Sequence, residues 1–261
     1  MSRRLWWIVL VGLSCACQTV PYTGRSHVIL VSQAEEKQLG LQAYQETLKK
    51  SKLSSDHEKV EMLRRVGHRL ARAANKPDFQ WEFNLIVEDK TINAWCLPGG
   101  KVAVYTGLLP VSQDEDGLAV VLGHEIAHAL ARHGAERMSQ GLIAQGLGQV
   151  GSLLLTGNSA ATQQIFANAY GIGAQLGMLH YGRKEESEAD HIGLILMAQA
   201  GYDPRRAVDF WGRMMKAMGG AKGDSALAKY LSDHPPDKER QQAIEGWMPE
   251  ALKYYNADQP R

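Results

Sequence analysis

Several features that would point to other classes of protein are missing from this sequence. Its 29 basic and 28 acidic side chains leave a formal net charge of only +1. No field of one sign therefore exists to attract nucleic acid, and we exclude a nucleic-acid partner. Beyond the first 17 residues, no apolar run reaches the roughly 18 residues that a membrane-spanning helix needs. Repeats and low-complexity tracts are also absent, and a hydrophobic fraction of 44% is typical of a globular domain.

Cysteine is scarce, and two of the three cysteines lie in an N-terminal segment that has the order of an export signal. In MSRRLWWIVLVGLSCAC, two arginines precede an apolar stretch from Leu5 to Leu13, and small residues lead to a cysteine. A cysteine at the cleavage point resembles the lipobox of bacterial lipoproteins. Cys17 is favoured over Cys15, although neither has an aliphatic residue three positions upstream. We therefore predict a lipoprotein signal peptide over residues 1–17 and one domain over residues 18–261.

The third cysteine, Cys96, has no partner if the leader is removed before Cys17, so no disulfide is expected in the mature chain. Removal before Cys15 would instead leave Cys17 able to pair with Cys96. We interpret Cys96 as a buried, small apolar residue.

Helical patterns dominate the chain and are interrupted once by a short β region, which predicts a mostly helical α+β fold. A capping box of Ser32 and Glu35 starts one helix, which is expected to run to about Lys50. Asp56 is expected to cap a second helix. The apolar stripe of this second helix consists of Val60, Leu63, Val66 and Leu70.

A small sheet is predicted immediately before the helix that carries the most informative motif. Trp81–Val87 and Val102–Thr106 have the alternation of strands, and Pro98-Gly99-Gly100 forms a tight turn. The next helix is expected to begin at a second capping box, made by Ser112 and Glu115.

The HEIAH motif on this helix predicts a zinc site. Positions four apart lie only about 40° apart around a helix, so the imidazoles of His124 and His128 can reach one tetrahedral ion. Glu125 is one position along from His124, close enough to act as a general base toward a water at the metal. The helix is expected to end at about residue 132.

A third ligand is needed, and the segment just after the motif does not supply it. Gly134 stands where metzincins carry their third histidine. His133 lies five positions beyond His128 and therefore about 140° away around the helix. We interpret His133 as a solvent-exposed residue at the helix end.

A second helix, predicted over Arg183–Gln199, is the better source of the third ligand. Glu186 and Asp190 share one stripe of this helix, so a carboxylate on this face can meet the two histidines. From spacing alone, Glu185 and Glu188 are rivals of Glu186 for this role.

Four segments together resemble the gluzincin family that contains HtpX and the CAAX prenyl proteases. They are NAWCLPGGKVAVYTGLL, HEIAH, EESEAD and DHPPDKER, and the resemblance extends from about Val20 to Ile244. The most similar branch comprises soluble bacterial outer-membrane lipoproteins and mitochondrial quality-control relatives. The resemblance implies a zincin-type metalloprotease domain with a small β-sheet beside the HExxH helix, and one Zn²⁺ per chain. Ser187 is a departure, because the family often carries an aromatic residue there.

The same resemblance assigns roles to single residues. It implies that Glu186 is the third zinc ligand and that Asp190 lies buried behind the ligands, where it orients an imidazole. The reaction is then zinc-dependent hydrolysis of a peptide bond, in which Glu125 takes a proton from the attacking water and passes it to the leaving amine.

Two further elements are implied to belong to the site. The substrate is expected to bind along a sheet edge that runs from Asn93 to Gly100 and includes Pro98 and Gly99, unless this segment is only a structural hairpin. His234, in SDHPPDKER, is expected to reach the zinc, either to stabilise the transition state or to act as a reversible fourth ligand. Arg240 follows His234 within the same element.

The sequence thus predicts a zinc metalloendopeptidase, lipid-anchored in the periplasm at the outer membrane. Its expected substrates, by resemblance to the family, are misfolded or misassembled envelope proteins. The alternative is a lipoprotein chaperone or assembly factor with a largely non-proteolytic zinc fold. Residues 141–179 are rich in Gly, Ala and Leu and are compatible with two core helices, a lid or a docking surface, with a turn at Gly157 to Ala161.

Overall fold

The computed structural model describes residues 17–144, 160–170, 182–220, 234 and 238–257. The strands are β1 (Cys17–Thr19), β2 (Ser26–Val28), β3 (Glu82–Ile86), β4 (Ala94–Leu97) and β5 (Lys101–Tyr105). The helices are α1 (Gln33–Lys50), α2 (His57–Ala74), α3 (Leu109–Ser112), α4 (Glu115–Leu130), α5 (His133–Ala144), α6 (Ala160–Tyr170), α7 (Arg183–Gln199), α8 (Arg206–Gly220) and α9 (Lys238–Ala251). The predicted mostly helical α+β fold is therefore confirmed.

The central sheet has three strands in the order β3-β5-β4, with β3 parallel and β4 antiparallel to β5. All residues of β4 and β5 are buried because helices cover both faces of the sheet. Val102 and Val104 belong to a core shared with α2, α4 and α7, whereas Ala103 and Tyr105 belong to a second core with α1, α5 and α6.

Alternation in the sequence predicted β3 and β5, whereas β4 lies in the segment from Asn93 to Gly100 that only the family resemblance placed at the sheet edge. With both of its faces buried, β4 reads as a short apolar run, AWCL, without the alternation that marks a half-exposed strand. The predicted turn at Pro98-Gly99-Gly100 is present between β4 and β5. Gly99 and Gly100 have φ angles of 86° and 82° there, which a residue with a Cβ rarely adopts.

The predicted caps are confirmed for α1 and α2 but not for the motif helix α4. The capping box of Ser32 and Glu35 precedes α1, and the Asp56 side chain accepts a bond from Lys59 N at the start of α2. The N-cap of α4 is Asp114, whose side chain accepts a bond from Gly117 N. Ser112 instead ends the short helix α3, where its hydroxyl donates to the carbonyl of Leu109.

Helices α4 and α7 form the most extensive contact between elements, and they approach closely through glycine. A Cβ placed on Gly193 of α7 would lie 2.9 Å from the backbone nitrogen of His124 and 3.0 Å from the carbonyl carbon of Gly123. The two helices that carry the predicted metal ligands are therefore in backbone contact at the position of the motif.

An N-terminal hairpin, formed by the antiparallel strands β1 and β2, lies outside the central sheet. It starts at Cys17, which is exposed. Residues 1–16, which hold the rest of the predicted leader, are outside the described part of the chain.

The predicted helical hairpin over residues 141–179 is described in part. In α6, Phe166 and Tyr170 are buried in the core shared with α1 and α5, as expected for a core helix. The predicted turn at Gly157 to Ala161 is wrong at its end, because Ala160 and Ala161 belong to α6. Its first three residues are outside the described ranges. Within those ranges no helix combines the length and apolar character needed to cross a membrane.

The contact between α4 and α7 predicts a large difference between two glycine-to-alanine substitutions. Gly193→Ala places a methyl group against backbone atoms that cannot rotate away, so we expect it to lower the free energy of unfolding by about 1–3 kcal/mol. Gly246→Ala in α9 is the control, because its Cβ would meet nothing within 4 Å and helix propensity favours alanine by up to about 1 kcal/mol. Thermal unfolding of both variants checks this, and a Gly193→Ala protein as stable as the wild type would contradict the close approach.

Candidate metal centre

Four buried side chains from three parts of the chain converge on one point. His124 and His128 come from α4, Glu186 comes from α7, and His234 is the fourth, with one potential ligand atom of each lying within 4.8 Å of the others. The Nε2 atoms of His124 and His128 are 3.1 Å apart. The Glu186 carboxylate oxygens lie 3.4 Å from His124 Nε2 and 3.3 Å from His128 Nε2.

These distances match the requirements of a single zinc ion. Ligand atoms that each lie about 2.0–2.1 Å from a tetrahedral ion are roughly 3.3–3.4 Å from one another. Two imidazole nitrogens and one carboxylate oxygen are a ligand set that Zn²⁺ accepts in catalytic sites. His234 Nδ1, 3.2 Å from His124 Nε2 and 3.2 Å from Glu186 Oε1, lies next to the same point. The residues present therefore fit a zinc ion.

The charges around the cluster favour a cation at this point. Burial alone would lower the pKa of His124, but the carboxylates of Glu186 and Asp190 raise this pKa to about 10. Burial alone would raise the pKa of Glu186, but His234 and His124 hold this pKa well below its usual range. The carboxylates thus favour positive charge at His124, and they would favour a metal cation at the same point for the same reason.

Behind His124, an aspartate and an arginine complete a buried chain of contacts. His124 Nδ1 lies 3.0 Å from Asp190 Oδ1. Arg240 donates to both oxygens of Asp190, over 2.7 and 2.8 Å, and its Nη1 lies 3.0 Å from Glu186 Oε2. The guanidinium also stacks 4.4 Å from the centre of the Trp211 ring. Arg240 therefore neutralises two carboxylates that the cluster buries.

Behind His128, the structure differs from the sequence interpretation of His133. His133 is fully buried, and its Nδ1 lies 2.7 Å from His128 Nδ1. The prediction of an exposed helix-end residue is wrong because α4 ends at Leu130. Arg132 then takes a left-handed φ of 55°, and His133 begins a new helix that returns it toward His128. The angle of about 140° between His128 and His133 assumes one continuous helix and therefore does not apply.

Of the three glutamates that spacing left open, Glu186 faces the histidines. Glu185 accepts a hydrogen bond from Gly182 N at the start of α7, over 2.8 Å. Glu188 lies 3.0 Å from His133 Nε2, one histidine further out. Spacing alone made Glu188 a rival ligand, and His133 was predicted to be exposed. Neither the spacing nor the composition indicated that Glu188 and His133 contact each other.

Glu125 is buried beside the cluster, with its Oε1 3.6 Å from His234 Nε2.

Cys96 of β4 is buried as predicted, and burial together with the nearby negative charge of Glu125 raises the pKa of its thiol. The edge strand β4 packs against α4, so this strand lies alongside the helix that carries Glu125.

The residues predicted to form a substrate edge flank β4. Asn93 directly precedes the strand, and its backbone oxygen accepts from Tyr105 N of β5. Pro98 and Gly99 follow the strand, and Pro98 is buried against Gly40 of α1. Among the described strands, none pairs with the outer edge of β4.

Comparison with known proteins shows similarity to one family of peptidases. The family described as Peptidase family M48 matches residues 57–248. The mitochondrial metalloendopeptidase OMA1 of Schizosaccharomyces pombe is 38% identical over 89% of this chain and 66% of its own length, and that of Saccharomyces cerevisiae is 31% identical over 97% and 76%. The beta-barrel assembly-enhancing protease of Escherichia coli is 29% identical over 86% of this chain and 46% of its own length. The chain thus spans from about half to three quarters of these three relatives.

The position of Arg240 predicts a strong effect on stability in the metal-free protein. Arg240→Ala leaves the carboxylates of Asp190 and Glu186 buried without their guanidinium partner, so we expect a loss of about 3–5 kcal/mol in the free energy of unfolding. Arg240→Lys keeps the charge but not the paired hydrogen bonds, so its loss should be smaller. Arg183→Ala is the control, because Arg183 and its partner Glu239 are both exposed. Denaturant unfolding measures all three, and equal stability of Arg240→Ala and Arg183→Ala would contradict this account.

Proposed function

Because this chain belongs to peptidase family M48 and carries the catalytic domain of a zinc metalloendopeptidase, we propose that it cleaves misfolded or misassembled proteins of a bacterial cell envelope. The main support for peptidase activity is the buried cluster of His124, His128 and Glu186, with Glu125 beside it. A largely non-proteolytic chaperone or assembly factor with the same fold is the alternative that the experiments below would reveal.

We assign the metal-binding role to His124, His128 and Glu186. When bound there, Zn²⁺ would polarise the scissile carbonyl group and lower the pKa of a water molecule. Glu125 is not among the four residues whose potential ligand atoms converge. We assign its carboxylate the role of general base, which takes a proton from the water and returns it to the leaving amine. Asp190 orients His124 from behind, and Arg240 holds Asp190 in place.

The substrate backbone is proposed to bind as an added strand beside β4, along the segment from Asn93 to Gly99. Support comes from the position of β4 at the edge of the sheet and its packing against α4. Pairing through backbone hydrogen bonds accepts many sequences, which suits an enzyme that acts on unfolded or wrongly assembled polypeptides rather than on one folded partner.

The envelope location is proposed from two observations. The first 17 residues have the order of a lipoprotein leader, and the E. coli relative is named a beta-barrel assembly-enhancing protease. We place the lipid on Cys17, at the exposed start of β1, and the protein in the periplasm at the outer membrane. The OMA1 relatives are named mitochondrial, so they support the chemistry and not this location.

The ligand and base assignments predict separate effects on zinc content and on proteolysis. Glu186→Ala should lose stoichiometric zinc, whereas Glu185→Ala, altered one position away on the same helix, should keep it. Glu125→Gln should keep zinc and lower casein cleavage by roughly a hundredfold or more. Metal analysis and a chelator-sensitive cleavage assay measure both. Normal zinc in Glu186→Ala would remove it from the ligand set, and unimpaired cellular function of Glu125→Gln would favour the chaperone alternative.

The same two assays decide the role of His234. If His234 stabilises the transition state, His234→Ala should keep zinc and lower the rate of cleavage by roughly a hundredfold. If it acts as a reversible fourth ligand, the same substitution should keep zinc and raise the rate. Unchanged zinc affinity together with an unchanged rate would remove His234 from the site.

The proposed anchor predicts that Cys17→Ser releases the protein from membranes into the soluble periplasm. The reason is that stable membrane binding needs two lipid signals, which a protein without the modified cysteine lacks. Cys15→Ser is the matched control and should remain in the membrane fraction. Cell fractionation measures both, and the reverse pattern would move the lipidated residue to Cys15.

A further inference from the structure

The two histidines of the metal cluster are supported from behind in different ways. His124 Nδ1 contacts the carboxylate of Asp190 directly, and Asp190 is held by Arg240. His128 Nδ1 contacts another imidazole, that of His133, and the Nε2 of His133 contacts the carboxylate of Glu188. The support of His128 is thus one residue longer than that of His124.

One arrangement of protons satisfies the hydrogen bonds between His128, His133 and Glu188 and leaves His128 able to bind a metal. The Glu188 carboxylate only accepts, so His133 donates to it from Nε2, over 3.0 Å. A neutral His133 then accepts at Nδ1 from the Nδ1–H of His128, over 2.7 Å. His128 Nε2 keeps its lone pair, and it is this atom that lies 3.1 Å from His124 Nε2 in the cluster.

Glu188 is itself held by the N-terminal hairpin. Thr23 donates to its Oε1 over 2.5 Å, and Arg25 Nε donates to its Oε2 over 2.8 Å. Arg25 also donates twice to Glu136 of α5, over 2.9 and 2.7 Å. Arg25 therefore joins the helix that begins at His133 to the helix that carries Glu188. Both hairpin residues precede the family-matched region, which begins at residue 57.

We propose that Thr23 and Arg25 of the N-terminal hairpin are positioning residues of the metal centre, which act through Glu188 and His133 on His128. This inference rests on the proposed metal-binding role of His128. Arg25 is part of the support on the His128 side, as Arg240 is on the His124 side. A segment about 100 residues before the motif thereby contributes to zinc retention.

The test uses the full chain loaded with zinc and measures the rate at which zinc is released to a colorimetric chelator at fixed pH. Arg25→Ala and Glu188→Gln should each raise this rate roughly tenfold to a hundredfold, the usual effect of removing an outer hydrogen-bond partner of a metal-bound histidine. Arg25→Lys should restore part of the loss. Tyr22→Phe is the control, because Tyr22 lies on the same hairpin but its hydroxyl donates to Gln199 at the end of α7, away from the residues that reach His128.

Two further readouts distinguish positioning from simple stabilisation. The absorption bands of the Co²⁺-substituted protein should shift in Arg25→Ala and not in Tyr22→Phe, since these bands report the ligand geometry. Adding Arg25→Ala to Glu188→Gln should have little further effect on release, because both act through the same contact. Release rates and Co²⁺ bands that stay at wild-type values in Arg25→Ala, with only a lower thermal midpoint, would overturn the proposal. A wild-type protein without stoichiometric zinc would instead contradict the proposed function itself.

Discussion

The contact between α4 and α7 at Gly123 and Gly193 is the constraint on which the rest of the site depends. Helix α4 carries His124 and His128, and α7 carries Glu186. Their side chains can approach one point because the two backbones touch. A side chain at Gly193 would separate the helices at the level of His124. Glycine is used here for its size, since the position lies inside a regular helix.

Such close packing buries several charges, and arginines compensate three of the carboxylates. Glu186 and Asp190 face Arg240, and Glu188 faces Arg25. Buried ion pairs contribute little net stability, but removing one partner is expensive. The arginines therefore allow carboxylates to lie beside His124, His128 and His133, and these carboxylates in turn contact the imidazoles.

Features of the fold and the site could be predicted from the sequence where they depend on residues close together in the chain. The caps of α1 and α2, the bounds of α7 and the spacing of the HEIAH motif are set by neighbours within four residues, and these predictions are confirmed. Alternation did not indicate strand β4, because its burial on both faces removes that pattern, and only the family resemblance placed its segment at a sheet edge. The Ser112 cap was wrong because Ser112 ends the short helix α3 and Asp114 caps α4. The exposed His133 was wrong because the left-handed Arg132 separates α4 from α5. The contact between Arg25 and Glu188 joins residues 163 positions apart and has no local signal.

The central claim is that a single zinc ion is held by two imidazoles and one carboxylate. It is supported by the family assignment, the buried cluster and the contacts behind the two imidazoles. The most direct measurement is a crystal structure of the zinc-loaded chain with diffraction data collected on both sides of the zinc absorption edge. We predict one anomalous peak at coordination distance from His124 Nε2, His128 Nε2 and the Glu186 carboxylate. A peak elsewhere in a fully loaded and active protein, or one without Glu186 as a ligand, would contradict it.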